Sequence, residues 1–77
     1  MASNPAYIRQ VLALGQVALV WAETSWGSEA QIEVENAFVN AAKAIMTPEQ
    51  VSAWDAYSLK ATSEEIIRWA LDTLSAV

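Results

Sequence analysis

The residues of this chain best suited to chemistry are its carboxylates. Glu29 with Glu33, and Glu64 with Glu65, are close enough in sequence to act as an acid and a base. Such a pair needs an apolar setting that moves its two pKa values apart. These four lie in predicted first turns or on a polar helix face, where we expect solvated charges that stabilise the helix dipole.

Other common catalytic groups are missing from the sequence. The 77 residues include no cysteine and no histidine. The chain therefore lacks thiol chemistry, the usual zinc ligands and an imidazole acid or base. We expect no enzyme activity, no bound metal and no cofactor.

The charge of the chain is acidic and its basic residues are scattered. Nine acidic and four basic residues give a net charge of −5. The basic side chains are those of Arg9, Lys43, Lys60 and Arg68. Binding to nucleic acid or to an anionic membrane needs clustered lysine and arginine, so we expect neither. The acidity could favour a basic protein partner or could simply maintain solubility.

The longest apolar stretch, residues 11–22, could be the apolar region of a signal peptide. Gly15 and Gln16 interrupt it, and Arg9 is the only basic residue ahead of it. The stretch is also shorter than the roughly 20 apolar residues that span a bilayer. We therefore expect a cytoplasmic protein.

Turn and capping signals divide the chain into four helices. Pro5 after Asn4, Ser28 with Gln31, and the segments 47–50 and 62–65 have the residue types of helix starts. Apolar residues recur with helical spacing between them, and no segment alternates as a strand would. The sequence predicts a single all-α domain, 1–77, a small bundle of four helices at approximately 5–23, 28–46, 48–59 and 63–76.

The first helix has little polar surface. Between Tyr7 and Ala22 the polar side chains are those of Arg9, Gln10 and Gln16. Two apolar stripes together cover roughly 220° of its circumference. They are Tyr7, Val11, Leu14, Ala18 and Trp21, and, beside them, Ile8, Leu12 and Leu19. A small domain can cover about half of this surface, so we expect the rest to meet another chain.

The second stripe is the predicted self-association surface, together with a glycine that lies among its residues. The group is Ile8, Leu12, Gly15 and Leu19. At Gly15 the missing side chain permits close approach of another helix, from this chain or from a second copy. We expect a homo-oligomer, in the form of a symmetric dimer.

The four tryptophans divide into two predicted classes. Trp21 and Trp54 are in phase with neighbouring apolar residues, so we expect both in the core. Trp69 lies on the side of the fourth helix that carries acidic residues, where a ring buries little within its own chain. Trp26 lies in a turn beside Gly27. We expect Trp69 and Trp26 to anchor a protein partner, although Trp26 could also cover one end of the bundle.

One family resembles this chain in size, acidity and helix order. Ser28 follows Gly27 at the start of the second helix, and the segment 28–34, SEAQIEV, has some of the pattern of an acyl carrier protein. That family carries substrates on a phosphopantetheine-modified serine at this place, so the resemblance implies Ser28 as the attachment site. The family motif is Asp-Ser-Leu, whereas Gly27 and Glu29 flank the serine here. The alternative is that Ser28 is an ordinary N-cap.

The sequence therefore favours a function in protein binding over a function in catalysis. We expect a small acidic helical module that binds another protein through apolar helix faces, as a regulator, an inhibitor or an assembly subunit. It would act by occlusion or by scaffolding.

Overall fold

The computed structural model describes residues 5–25 and 27–76, and over these residues it confirms the all-α prediction. The helices are α1 (Pro5–Thr24), α2 (Glu29–Ile45), α3 (Pro48–Ser58) and α4 (Ser63–Ser75). Each predicted boundary is correct to within one residue. The predicted cap at Asn4 lies outside the described residues.

Hydroxyl caps begin the last three helices. In each case the hydroxyl accepts a hydrogen bond from the backbone N–H three residues later: Ser28 from Gln31, Thr47 from Gln50 and Thr62 from Glu65. At α3 and α4 the third residue's side chain also accepts from the cap residue's N–H, which completes a capping box. At α2 the Gln31 side chain instead accepts from the N–H of Gly27, at 2.6 Å. These bonds explain why the predicted helix starts are accurate.

Helix α1 is central and packs against both α2 and α4, while α3 packs on α4. Its buried residues are Val11, Gly15, Ala18 and Ala22, which follow one another at spacings of four, three and four. The core face of α1 therefore runs between the two predicted apolar stripes. Three of its four residues are small, which lets the neighbouring helices come close.

The closest approach to α1 is at Gly15. A β-carbon there would lie 2.5 Å from Cδ2 of Leu71 in α4 and 2.7 Å from Cε1 of Phe38 in α2. Both distances are far below van der Waals contact, so a β-carbon at this position would require both side chains to shift. The sequence left open whether the approaching helix belongs to this chain or to a second copy. In the structure the helices that approach Gly15 belong to this chain. Gly15 is buried and is therefore not available to a second copy.

Four aromatic rings form a cluster that joins α2, α3 and α4. The ring of Trp54 lies 6.0 Å from that of Phe38 and 5.9 Å from that of Trp69, which is perpendicular to it. Tyr57 lies 6.0 Å from Trp69 on the other side. Trp54 is buried, as predicted.

Trp69 differs from the prediction. Its side chain is half-buried and packs against the core, because α3 covers the flank of α4 on which it lies. The expectation that it buries little within its own chain is wrong. Trp21 also differs from its prediction. It is exposed on α1 and does not belong to the core.

Two ion pairs link the helices at the surface. Lys43 Nζ of α2 lies 2.7 Å from Oδ1 of Asp55 in α3, and 5.5 Å from the ring centre of Trp54. Nη2 of Arg68 in α4 lies 2.9 Å from Oε1 of Glu23 in α1. Exposed pairs of this kind contribute about 0.2–1 kcal/mol each, so packing dominates the stability of the bundle.

The packing at Gly15 predicts that Gly15→Ala destabilises the protein by about 1 kcal/mol. Overpacking a filled core costs about 1–3 kcal/mol. The higher helix propensity of alanine offsets about 0.5–1 kcal/mol of this. Chemical denaturation monitored by circular dichroism measures the difference.

A matched control comes from the exposed side of the same helix. Ala13→Gly makes the reverse change at a position that is exposed in the single chain, and at protein concentrations where the chain is monomeric it should destabilise by about 0.5–1 kcal/mol through propensity alone. The cost of Gly15→Ala should shrink in a Leu71→Ala background, because the nearest clashing atom is then gone. Stabilisation by Gly15→Ala in the otherwise unchanged protein would show that the site is open.

The aromatic cluster predicts that Trp69→Ala destabilises the protein by about 2 kcal/mol. This is less than the roughly 3–5 kcal/mol for a fully buried ring, because Trp69 is half-buried. Leu59→Ala is the control, since Leu59 is 89% exposed and its loss should change stability by about 0.5 kcal/mol or less. Equal effects of the two substitutions in urea denaturation would contradict a packing role for Trp69.

Candidate interaction surface

The carboxylates considered for acid–base chemistry occupy ordinary helix positions. Glu29 and Glu33 are exposed on α2. Oε2 of Glu64 lies 3.6 Å from Nε of Arg68. Glu65 accepts hydrogen bonds from the backbone N–H and the hydroxyl of Thr62, which lower the pKa of its carboxyl below the usual 4.5. A lowered pKa keeps this group ionised, which is the opposite of what a general acid needs. Among the described residues, no cluster of acidic side chains could hold a metal ion.

Ser28 has a structural role in this fold. Its side-chain oxygen accepts a hydrogen bond of 3.1 Å from the N–H of Gln31, and the residue is half-buried. The connection from α1 to α2 spans only residues 25–28. The predicted N-cap is therefore present, and nothing in this geometry favours a prosthetic group on Ser28.

Two of the surface depressions lined by described residues have the volume to hold a small ligand. One, of about 280 Å³, lies beside Gln31, Glu35 and Ser63. The amide of its buried Gln31 already has two partners, because its oxygen accepts from the N–H of Gly27 and its nitrogen donates to Glu35. The other, of about 250 Å³, lies between α1 and α4 beside Arg68, which is already paired with Glu23. Every buried side-chain nitrogen and oxygen in the described part of the chain has a hydrogen-bond partner, so neither depression presents a buried polar atom in need of a ligand.

The side of α1 that faces away from the core is exposed, and most of its side chains are apolar. We call it the outer face, formed by Gln10, Ala13, Val17, Val20 and Trp21. The exposed fraction is 47% for Val17, 57% for Val20 and 36% for Trp21. None of the five residues is charged. Tyr7, 41% exposed, lies at one edge of this face.

The exposed apolar surface of α1 does not lie on the predicted self-association stripe. It is carried by Val17 and Val20, which belong to neither predicted stripe, and by Tyr7 and Trp21 of the first stripe. Ile8, Leu12 and Leu19 are half-buried, and Leu12 and Leu19 pack against the core. They flank the buried line through Gly15 and leave the opposite side of the helix uncovered. The signal that could have located the core face is the run of small residues Gly15, Ala18 and Ala22, which favours close helix packing more strongly than the large side chains beside it.

Of the two predicted partner anchors, Trp69 lies within the described residues and Trp26 does not. Trp69 keeps only part of its surface exposed after packing in the aromatic cluster. Trp26 lies outside the described residues. The predicted role of both in binding a partner stays a prediction.

Among the described residues, two further large apolar side chains are exposed away from the outer face. Ile32 is on α2, and Leu59 caps the end of α3. Scattered residues of this kind are normal on soluble proteins. The outer face is distinguished from them by continuity over several turns of one helix.

None of the helices in the described ranges has the length and apolar character needed to cross a membrane. No protein-family model, curated protein or solved structure matches the chain.

Proposed function

We propose that this protein is a helical interaction module that binds a protein partner through the outer face of α1. The observation that carries the proposal is the run of exposed, uncharged residues from Gln10 to Trp21 on one side of a helix that is buried along its opposite side. Contiguous apolar surface of this kind on a small soluble domain usually marks an association site. The module acts by occlusion or by scaffolding, and no chemical step is assigned to it.

The outer face is supported by close contacts on the opposite side of α1. Gly15 is clamped between Phe38 and Leu71, and the Arg68–Glu23 pair ties α1 to α4 at its C-terminal end. A partner would therefore meet a preformed surface and would not have to order it. Preorganisation of this kind increases affinity for a given buried area.

The chemistry of the outer face favours an apolar partner surface. Its centre, Val17 and Val20, offers branched aliphatic side chains, and Trp21 adds a ring at the edge. Tryptophan is enriched among residues that contribute most to protein interfaces. The net charge of −5 comes from residues elsewhere and can select among partners without contributing to this contact.

Photocrosslinking tests this proposal directly. Replacing Val17 or Val20 with p-benzoylphenylalanine should give a crosslinked species of higher mass in cells of the native host, because a partner covers these side chains. The same substitution at Glu33, which is exposed on α2, is the matched control and should give much less product. A crosslink to any protein, a second copy included, agrees with the proposal.

One result would contradict the proposed function. If neither Val17 nor Val20 gives more crosslinked product than Glu33, while each variant keeps its helical circular dichroism, the outer face has no protein partner.

A further inference from the structure

We infer that the partner on the outer face is a second copy of this chain, with the two α1 helices antiparallel about a two-fold axis near Gln16. This inference rests on the proposed function and names its partner. It is drawn from the charges at the edge of the face and from the sizes of the side chains along it.

Helix α1 has only two charged side chains, and they have opposite signs. Arg9 lies near one end and Glu23 near the other. Fourteen residues separate them, which is close to four helical turns, so both lie on the same edge of the outer face, about 21 Å apart. Among the residues the structure describes, Arg9 forms no ion pair, whereas Glu23 uses one carboxylate oxygen for Arg68.

An antiparallel two-fold arrangement makes this edge complementary to itself. An axis through the midpoint, Gln16, brings Arg9 to the level of the partner's Glu23, and the same contact repeats on the other side of the axis. The axis is perpendicular to both helices, so both charges of a pair stay on the same edge. A parallel pair instead places Arg9 at the level of the partner's Arg9 and leaves both charges without a complement. Of these two arrangements, only the antiparallel one gives Arg9 and Glu23 a partner of opposite charge.

The same axis matches a small side chain to a larger one. It brings Ala13 to within about 1.5 Å, along the helix, of the level of the partner's Val20, and Gln10 equally close to the level of the partner's Trp21. Val17 lies about 1.5 Å from the axis along the helix and meets its own symmetry mate. Complementary sizes along an isologous contact are what close helix packing requires.

The size of the face predicts a reversible dimer. A helix of 20 residues is about 30 Å long and about 10 Å wide, so the contact buries roughly 600 Å² in total. This area is below the roughly 1,200 Å² of a standard stable interface and belongs to the weak, transient class. The association should therefore depend on concentration, and sedimentation between about 5 and 500 µM should show the mass rising from monomer to dimer.

Engineered cysteines distinguish the two orientations without background, because the chain has no cysteine of its own. Mixing Ala13→Cys with Val20→Cys under mild oxidation should give a disulfide-linked heterodimer. Each variant alone should give much less, since its two copies lie about 9 Å and about 12 Å apart along the helix axis. Cα atoms more than about 7 Å apart cannot be bridged without backbone movement.

A charge reversal tests the edge contacts. Arg9→Glu should raise the dimer dissociation constant about tenfold, because two attractive pairs become two repulsive ones. Lys60→Glu changes the net charge equally at an exposed position between α3 and α4, and should have a much smaller effect.

The outcomes separate this inference from the proposed function. A protein that stays monomeric to 500 µM while Val17 crosslinks to a different protein overturns the second copy and leaves the interaction module standing. Efficient self-crosslinking by Ala13→Cys alone overturns the antiparallel orientation. A monomer without any crosslink at Val17 or Val20 overturns both.

Discussion

The structure depends on the close approach of two helices to α1 at Gly15. Phe38 from α2 and Leu71 from α4 both occupy the space that a β-carbon would need. Because both contacts converge on one residue, they determine how α1 is rotated about its own axis. The buried line through Val11, Gly15 and Ala18 follows from that rotation.

The same rotation explains why a small helical bundle exposes branched aliphatic side chains. The core side of α1 is filled mainly by small residues, with the volume supplied by Phe38, Ile67 and Leu74 from the other helices. Larger residues of α1 are therefore displaced to the flanks and to the outer face. A glycine within a helix costs about 0.5–1 kcal/mol relative to alanine, and the close packing of two helices offsets it. Tight packing inside and apolar surface outside are thus two consequences of one arrangement.

The fold was predictable where the signals are local. Hydroxyl caps with a glutamine or glutamate three residues later locate the starts of α3 and α4, because those bonds form within four residues whatever the tertiary structure. Periodicity likewise shows which residues share a face. It does not show which face a neighbouring helix covers when apolar residues extend around most of a helix. For α1 that choice was made by Phe38 and Leu71, which are far away in sequence, and for Trp69 it was made by the preceding helix, α3.

The position of the charges on α1 adds a constraint that the fold alone does not require. The Arg68–Glu23 pair uses one oxygen of Glu23 within the chain, so the carboxylate can still accept a second donor. Arg9, at the other end of the same edge, is a donor without an acidic partner in the described chain. An isolated bundle gains nothing from this spacing, since the two charges are about 21 Å apart. In the dimer that we propose, both charges are used at once, because the two-fold axis that buries the outer face also brings each arginine to a glutamate. In that dimer the apolar face supplies the contact area, and the charged edge selects the orientation.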